Sequence, residues 1–417
     1  MKRLIVLKEF DRIYIGEKIN DVIITNTDIE QLQNLKIDKS KANVEDFLNP
    51  IRKGVQFKNY VGVLKINSGL IVEILPKLYG INSDEESKKL VFTMLRDTKH
   101  VKSKLFDEIA MDKDNNSMLE IFINMFLDEV EKICKVGLVS EYQKVEENFK
   151  FLKGKLLIHK HVKVNKFNYS NFYNEYDDFI LDHNLNRLIK ATLIYLSKVN
   201  VSNNVNRKIN NLLPFFEDIN ARLLDINKIS PHINRRFEIY DKAIEWSKMI
   251  LNNNTFNTFS GVNSSLAFLF PMERLYEEYV YNKLKYNNID NIEIVSQQNK
   301  YSLFNKKNNE YTSIYKLKPD IVIKKNEDVI IVDTKWKILG SNGPSQMDIY
   351  QMYAYFTRYR HHGINVKKVI LLYPYSGSYP RTVFQSLSEA GGTIAIIEVA
   401  FVNLTDDNWI NDFWKLI

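Results

Sequence analysis

Cysteine is almost missing from this 417-residue chain: Cys134 is the single one, so neither an intrachain disulfide nor a thiolate metal cluster can be built. Long apolar runs are missing as well. No stretch approaches the roughly 20 residues that a bilayer crossing needs, and the opening Met1-Lys2-Arg3-Leu4-Ile5-Val6-Leu7-Lys8 meets charge too early for a signal peptide. A reducing cytoplasm and no membrane are therefore expected. No Gly-x-x-x-x-Gly-Lys-Ser/Thr loop occurs, which removes a P-loop nucleotide-hydrolysing engine from the chain. Charge is not one-sided either: 58 Lys and Arg against 51 Asp and Glu leave a formal +7, a mild bias toward a polyanionic partner. With 45% hydrophobic residues, a chain of this length forms two or three domains with real cores.

What is present is concentrated in Lys318 to Lys337. Two β-branched runs, Ile321-Val322-Ile323 and Val329-Ile330-Ile331-Val332, flank the polar tetrad Lys325-Asn326-Glu327-Asp328, which predicts a tight hairpin. A turn centred on Asn326-Glu327 places Asp320 opposite Asp333. By alternation Ile321, Ile323, Ile330 and Val332 share one face, while Asp320, Asp333 and Lys335 share the other, with Val322 and Ile331 nearer the turn. Opposed carboxylates, with Cβ atoms roughly 5 Å apart, repel unless a cation sits between them. Mg²⁺ suits such a pair because it takes a few carboxylate oxygens and keeps its remaining waters. Lys335, two residues beyond Asp333 on the same side, can hold a water on that ion and favour its hydroxide form. Metal, activated water and positive charge together are a kit for cleaving phosphodiesters.

Around this hairpin the chain divides by its hydrophobic period. Residues 1–82 read as a β-rich module with strands at Leu4–Leu7, Asp21–Ile24, Tyr60–Leu64 and Leu70–Lys77, a turn at Asn67-Ser68-Gly69, a helix over Thr27–Leu35, and a loop or short helix over Asp38–Asn49. Residues 83–251 read as mainly helical. Capping boxes Ser83-x-x-Glu86 and Ser117-x-x-Glu120 open two helices on either side of a polar break at Asp112–Ser117, and further helices span Glu175–Lys198 after a polar lead-in and Arg236–Leu251. Phe151–Ile158 is expected to be extended and to lead into the basic run His159, Lys160, His161, Lys163, which reads more readily as a solvated edge than as a phosphate contact. Asn252-Asn253-Asn254 marks the boundary to a domain over 252–417. That domain reads as α/β: a helix from Pro271 to Leu284, the hairpin, a helix from Ser345 to Tyr359, and strands over Lys368–Pro374 and Thr393–Phe401. The fold class expected is therefore α+β multidomain.

Pro319-Asp320 followed by Asp333-Thr334-Lys335 resembles the PD-(D/E)xK nuclease superfamily. An acid-x-Lys triplet alone is weak, since about five should arise here by chance, and the hairpin context carries the weight. Glu277, bordering the stripe Tyr276, Val280 and Leu284, is the candidate for an additional acid from the first helix of such a domain. Gln351-x-x-x-Tyr355, about fifteen residues beyond the triplet, resembles the motif that follows it in RecB-like members. Asp348, Gln351, Tyr355 and Arg358 share one side of their helix. The residues so singled out are Asp320, Asp333 and Glu277 as metal ligands, Lys335 and Gln351 as catalytic groups, and Tyr355 and Arg358 as contacts to the DNA backbone.

More of the chain is similar to McrC, the nuclease subunit of the McrBC modification-dependent restriction systems. The similarity lies in Val61-Gly62-Val63-Leu64, Glu73-Ile74-Leu75-Pro76-Lys77, Leu152-Lys153-Gly154-Lys155, Asn184 to Leu193, Met272 to Val280, the hairpin, and Tyr350-Gln351-Met352-Tyr353-Ala354-Tyr355. The resemblance implies a cytoplasmic phage-defence endonuclease using one or two Mg²⁺ ions. It also implies a McrB-like AAA+ GTPase hexamer as partner, docked through the N-terminal part of this chain, and double-stranded, modified DNA as substrate. Two other readings compete: a self-sufficient RecB-like nuclease, and a non-catalytic adaptor of an AAA+ ring.

Overall fold

The hairpin foreseen at Lys318–Lys337 forms the middle of a six-stranded sheet in the computed structural model. The structure describes residues 3–35, 47–78, 80, 83–98, 117–221, 226, 229, 235–252, 266–289, 292–307, 311–389, 392–406 and 408–417. Residues 38–46 of the expected loop or short helix over Asp38–Asn49, the break at 112–116 and the Asn253-Asn254 boundary lie outside these residues, while Leu48 and Asn49 belong to a strand, Leu48–Ile51. Contacts group the chain into two compact units, Met1–Met118 with Leu269–Ile417, and Leu119–Phe268. The N-terminal β-rich segment and the C-terminal α/β segment thus share one unit.

In the first unit the six strands run in the order Ile292–Ser296, Ile321–Lys325, Asp328–Thr334, Asn365–Pro374, Ile394–Val402 and Thr382–Glu389. The third, fourth and fifth of these are mutually parallel and the rest pair antiparallel. The turn is the two-residue Asn326-Glu327, with Asn326 at φ 56°, a left-handed conformation that Asn tolerates better than most residues. One face of the sheet is closed by the helix Gln346–His361, whose Met352, Phe356 and Tyr359 pack with Val322, Ile331, Val369 and Leu371. Each fully buried side chain of this kind contributes roughly 1.5–3 kcal/mol. The opposite face, with Ile321, Ile323, Ile330 and Val332, is buried as well. Hence the hairpin face that bears the acids is open only at its strand ends. The helix starts where Ser345 and Asp348 form a reciprocal capping box.

A second sheet in this unit pairs Arg3–Lys8 in parallel with Leu70–Leu75, and Leu70–Leu75 antiparallel with Tyr60–Lys65. Gly69 turns the last pair at φ +84°, as the Asn67-Ser68-Gly69 signal implied. Ser83 accepts from the Glu86 N–H at 3.1 Å to open the helix Asp84–Asp97. Of the first expected box only this N-cap bond forms, and the second, at Ser117, does not form. The Met118 N–H donates instead to the buried Glu73 carboxylate at 2.7 Å, and the Ser117 hydroxyl is buried with no hydrogen-bond partner among the described residues.

The second unit is less helical than its sequence period suggests. Its sheet joins Glu141–Phe149, Phe172–Ile180 and Lys155–Leu156. The polar stretch from Glu175 to Ile180, read as the lead-in to a helix, is a strand paired with Glu141–Glu146, and the helix begins only at Asn184. Within Phe151–Ile158 only Lys155–Leu156 is a strand, and Ile158–Val164 forms a short helix. Cys134 is half-buried on the helix Met118–Val136, and burial pushes its thiol up to about 11, which keeps it protonated and unreactive.

Candidate active site

The ladder of the hairpin ends at Ile321 opposite Val332, so continuing the register by one residue sets Asp320 opposite Asp333. Asp320 is fixed there by its own chemistry: its Oδ2 accepts from the Thr334 N–H at 2.7 Å and the Thr334 hydroxyl at 2.8 Å. Both bonds use Oδ2, which leaves Oδ1 for a ligand. Asp333 is 1% exposed, and Lys335 Nζ lies 2.6 Å from its Oδ2. That oxygen has no well-directed hydrogen bond despite the short ionic contact. Lys335 also donates to Gln351 Oε1 at 3.0 Å, Gln351 Nε2 donates to the Tyr355 hydroxyl at 2.8 Å, and Tyr355 donates to the Lys318 carbonyl at 3.2 Å. The result is a relay from the backbone beside Asp320 through helix Gln346–His361 to the lysine.

Asp320, Asp333, Thr334, Lys335 and Gln351 open into a polar cavity of about 670 Å³ lined also by Glu277, Gln297, Lys337 and Asp348. Its electrostatics follow from burial. Burial raises the Asp333 carboxyl above the usual carboxylate range, the Asp320 charge adds to this, and the Lys335 ammonium opposes it. Asp320 is raised too, by burial working against the Thr334 bonds. Glu277 is pushed up to about 7, by burial and then by Asp320. Burial disfavours the charge on Lys335, yet the surrounding Asp333, Asp320 and Asp348 carboxylates raise its pKa above the ordinary value. Asp348 stays below the carboxylate range despite burial, because Lys337 at 2.5 Å and the Ser345 cap hold its ionised form.

Among the described residues no three His, Cys, Asp or Glu side chains gather into a ready-made metal cage. The arrangement still fits a hard divalent cation. Burial raises both opposed carboxyls and the Asp320 charge raises Asp333 further, one buried oxygen lacks a directed hydrogen bond, and Mg²⁺ requires only one or two carboxylates plus water. Asp320 and Asp333 could hold such an ion, and Glu277 lines the same cavity.

A family model described as McrBC 5-methylcytosine restriction system component matches residues 55–374. The chain belongs to that family. In fold it is similar to a chain of the half-complex from the tetradecameric assembly of Thermococcus gammatolerans McrB AAA+ hexamers with bound McrC. The two share 19% identity at a TM-score of 0.73, over 99% of this chain and 100% of the other. It is also similar to a chain of the Thermococcus gammatolerans McrBC complex, with 20% identity, a TM-score of 0.51, and coverage of 68% of this chain and 88% of that one. A comparison with curated protein sequences gave no significant match.

Of the residues singled out in the sequence of this McrBC family member, Asp320, Asp333, Lys335, Gln351 and Glu277 line the one cavity. Tyr355 does not: it is 3% exposed, with its hydroxyl spent on Gln351 and Lys318, so it supports the cavity from beneath and offers no surface to a DNA backbone. Arg358, half-buried about one helical turn further on, lies outside the lining as well. Gln297 went unnoticed in the sequence. Its amide donates to Glu277 Oε1 at 2.8 Å and its N–H to the Asp320 carbonyl at 2.8 Å, from a backbone at φ 48°. A non-glycine residue held in the left-handed region beside a polar cavity is a recognisable functional mark, but no sequence signal announces it. The triplet motif assigns no role to its middle residue, Thr334, which anchors Asp320.

Proposed function

We propose that this chain is the Mg²⁺-dependent DNA endonuclease subunit of a McrBC-type restriction system, acting with an AAA+ GTPase partner that engages modified DNA. The observation that carries this reading is the opposed pair Asp320 and Asp333 with Lys335 Nζ 2.6 Å from Asp333, facing a polar cavity. A bound divalent cation would supply charge neutralisation for the two carboxylates and Lewis acidity toward a phosphodiester. The chain's own groups do the rest. Lys335 is held charged and aimed by Gln351, so it places a fixed ammonium where negative charge develops on the phosphoryl group and can hold the attacking water. Glu277, which lines the same cavity, would add a third carboxylate to the surroundings of that cation. Domain roles follow: nuclease chemistry in 252–417 and partner docking in 1–82.

The second unit adds a surface suited to contact with another macromolecule. Phe151, Leu152, Ile158, Val162, Phe167 and Tyr169 are each more than half exposed, around the sheet and the helix Ile158–Val164, which buries no residue. Lys153, Lys155, Lys160 and Lys163 lie in the same stretch. An exposed apolar patch among cations is unfavourable in water and typical of an interaction surface. It favours a docked subunit over a self-sufficient nuclease.

The deciding experiment reconstitutes the chain with its AAA+ partner, GTP, Mg²⁺ and plasmid DNA carrying 5-methylcytosine. Asp333→Ala should abolish cutting while leaving stimulation of GTP hydrolysis intact. Cutting retained by Asp333→Ala refutes the assignment, and vigorous digestion by the purified chain alone favours the self-sufficient nuclease.

A further inference from the structure

We infer that Glu9 and Trp336 form a strut that positions Lys335 and Glu277, tying the N-terminal strand Arg3–Lys8 to the cavity; this rests on the nuclease reading of that cavity. Glu9 follows the strand directly, and its N–H extends the ladder to the Leu75 carbonyl at 2.9 Å. Its carboxylate is 1% exposed. One oxygen accepts from the Lys77 N–H at 2.8 Å, and both accept from Trp336 Nε1, at 3.0 and 3.1 Å, across 327 residues of sequence.

Trp336 is the residue after Lys335, and what holds it decides where the lysine goes. The Lys335 N–H still pairs with the Leu372 carbonyl at 2.9 Å, but by Lys337 the chain has turned back onto the Lys335 carbonyl, at 3.1 Å. Between these points the backbone is steered by the Trp336 side chain. That ring is 7% exposed and lies against Tyr276, with centroids 5.3 Å apart at 57°. Tyr276 is fully buried and its hydroxyl has no hydrogen-bond partner among the described residues, so it serves here as an apolar wall. Its chain neighbour is Glu277. One indole thus touches the residue before Glu277 and sits beside Lys335, and its N–H is held from the N-terminal module.

Sequestering a carboxylate with two N–H donors is a costly way to fill space, and burial raises Glu9 to about 7. An apolar side chain would pack there more cheaply. What the carboxylate adds is direction: two acceptor oxygens fix the indole N–H and hence the ring plane. Residues that orient a metal site from behind typically change metal affinity or activity by about 10–100-fold when altered.

The experiment uses the full chain with Mn²⁺ as the calorimetric probe, alongside cutting with the AAA+ partner. Glu9→Ala and Trp336→Phe should each weaken Mn²⁺ binding and slow cutting by roughly tenfold. Combining them should be no worse than either alone, because both break one link. Glu9→Gln, whose amide oxygen still accepts from the indole, should stay within about threefold of the parent chain. Losses that multiply in the double variant, or a Trp336→Phe chain that binds Mn²⁺ and cuts normally, overturn the strut. A parent chain that neither binds Mn²⁺ nor cuts overturns the nuclease reading and the strut with it.

Discussion

Mg²⁺ should stabilise this protein against heat by an amount that grows with pH, and Asp333→Asn should erase the gain. Without metal, Asp333, Asp320 and Glu277 hold protons more tightly in the folded chain than in the unfolded one. A carboxyl raised on folding contributes stability that is fully present below its unfolded pKa and is lost as pH climbs through the folded value. The metal-free protein therefore loses stability between about pH 4 and pH 7. For Glu277, a rise from 4.5 to about 7 converts at ~1.4 kcal/mol per pH unit to ~3 kcal/mol, which solvent screening of this partly exposed group reduces to ~1–2 kcal/mol. A cation binds only the ionised acids, so its contribution has the opposite slope. At a hundredfold excess over its dissociation constant it contributes ~2.7 kcal/mol, a melting shift of roughly 3 °C for a chain this large. Scanning calorimetry at pH 8 should show that shift, and at pH 5.5 less than about 1 °C. Equal shifts at the two pH values, or a full shift in Asp333→Asn, would refute the placement of the ion on these acids.

Other outcomes follow from single contacts. Gln351→Leu removes the acceptor at 3.0 Å from Lys335 while keeping the side chain's volume, and should slow cutting by about 10–100-fold with little change in melting temperature. Tyr355→Phe leaves the Lys318 carbonyl without its 3.2 Å donor and should cost about 1–2 kcal/mol, visible as a lower urea midpoint. Gly154→Ala puts a Cβ 2.4 Å from the Glu175 carbonyl oxygen at φ +71°, so it should loosen the 141–180 sheet and expose it to limited proteolysis before the rest of the chain. Thr334→Val keeps the shape of the residue but removes its hydroxyl from Asp320, and should weaken Mn²⁺ binding severalfold, read by calorimetry.

The hairpin and its acids were legible from the residues alone, because a two-residue turn and a strict alternation leave only one register for Asp320 and Asp333. The helices at Ser83 and Ser345 were equally plain, since a cap and the first turn it satisfies lie within four residues of each other. The strand Phe172–Ile180 was not, because its polar, aromatic-flecked sequence has no strong period and becomes a strand by pairing with Glu141–Phe149 more than twenty residues away. Only tertiary structure could decide that Gln297 steadies Glu277, that Tyr355 lies beneath the cavity, or that Glu9 reaches Trp336. Local spacing sets which side of an element a residue occupies. What covers that side is settled by the packing of segments hundreds of residues apart, and there the burial of Glu9 and Asp333 was determined.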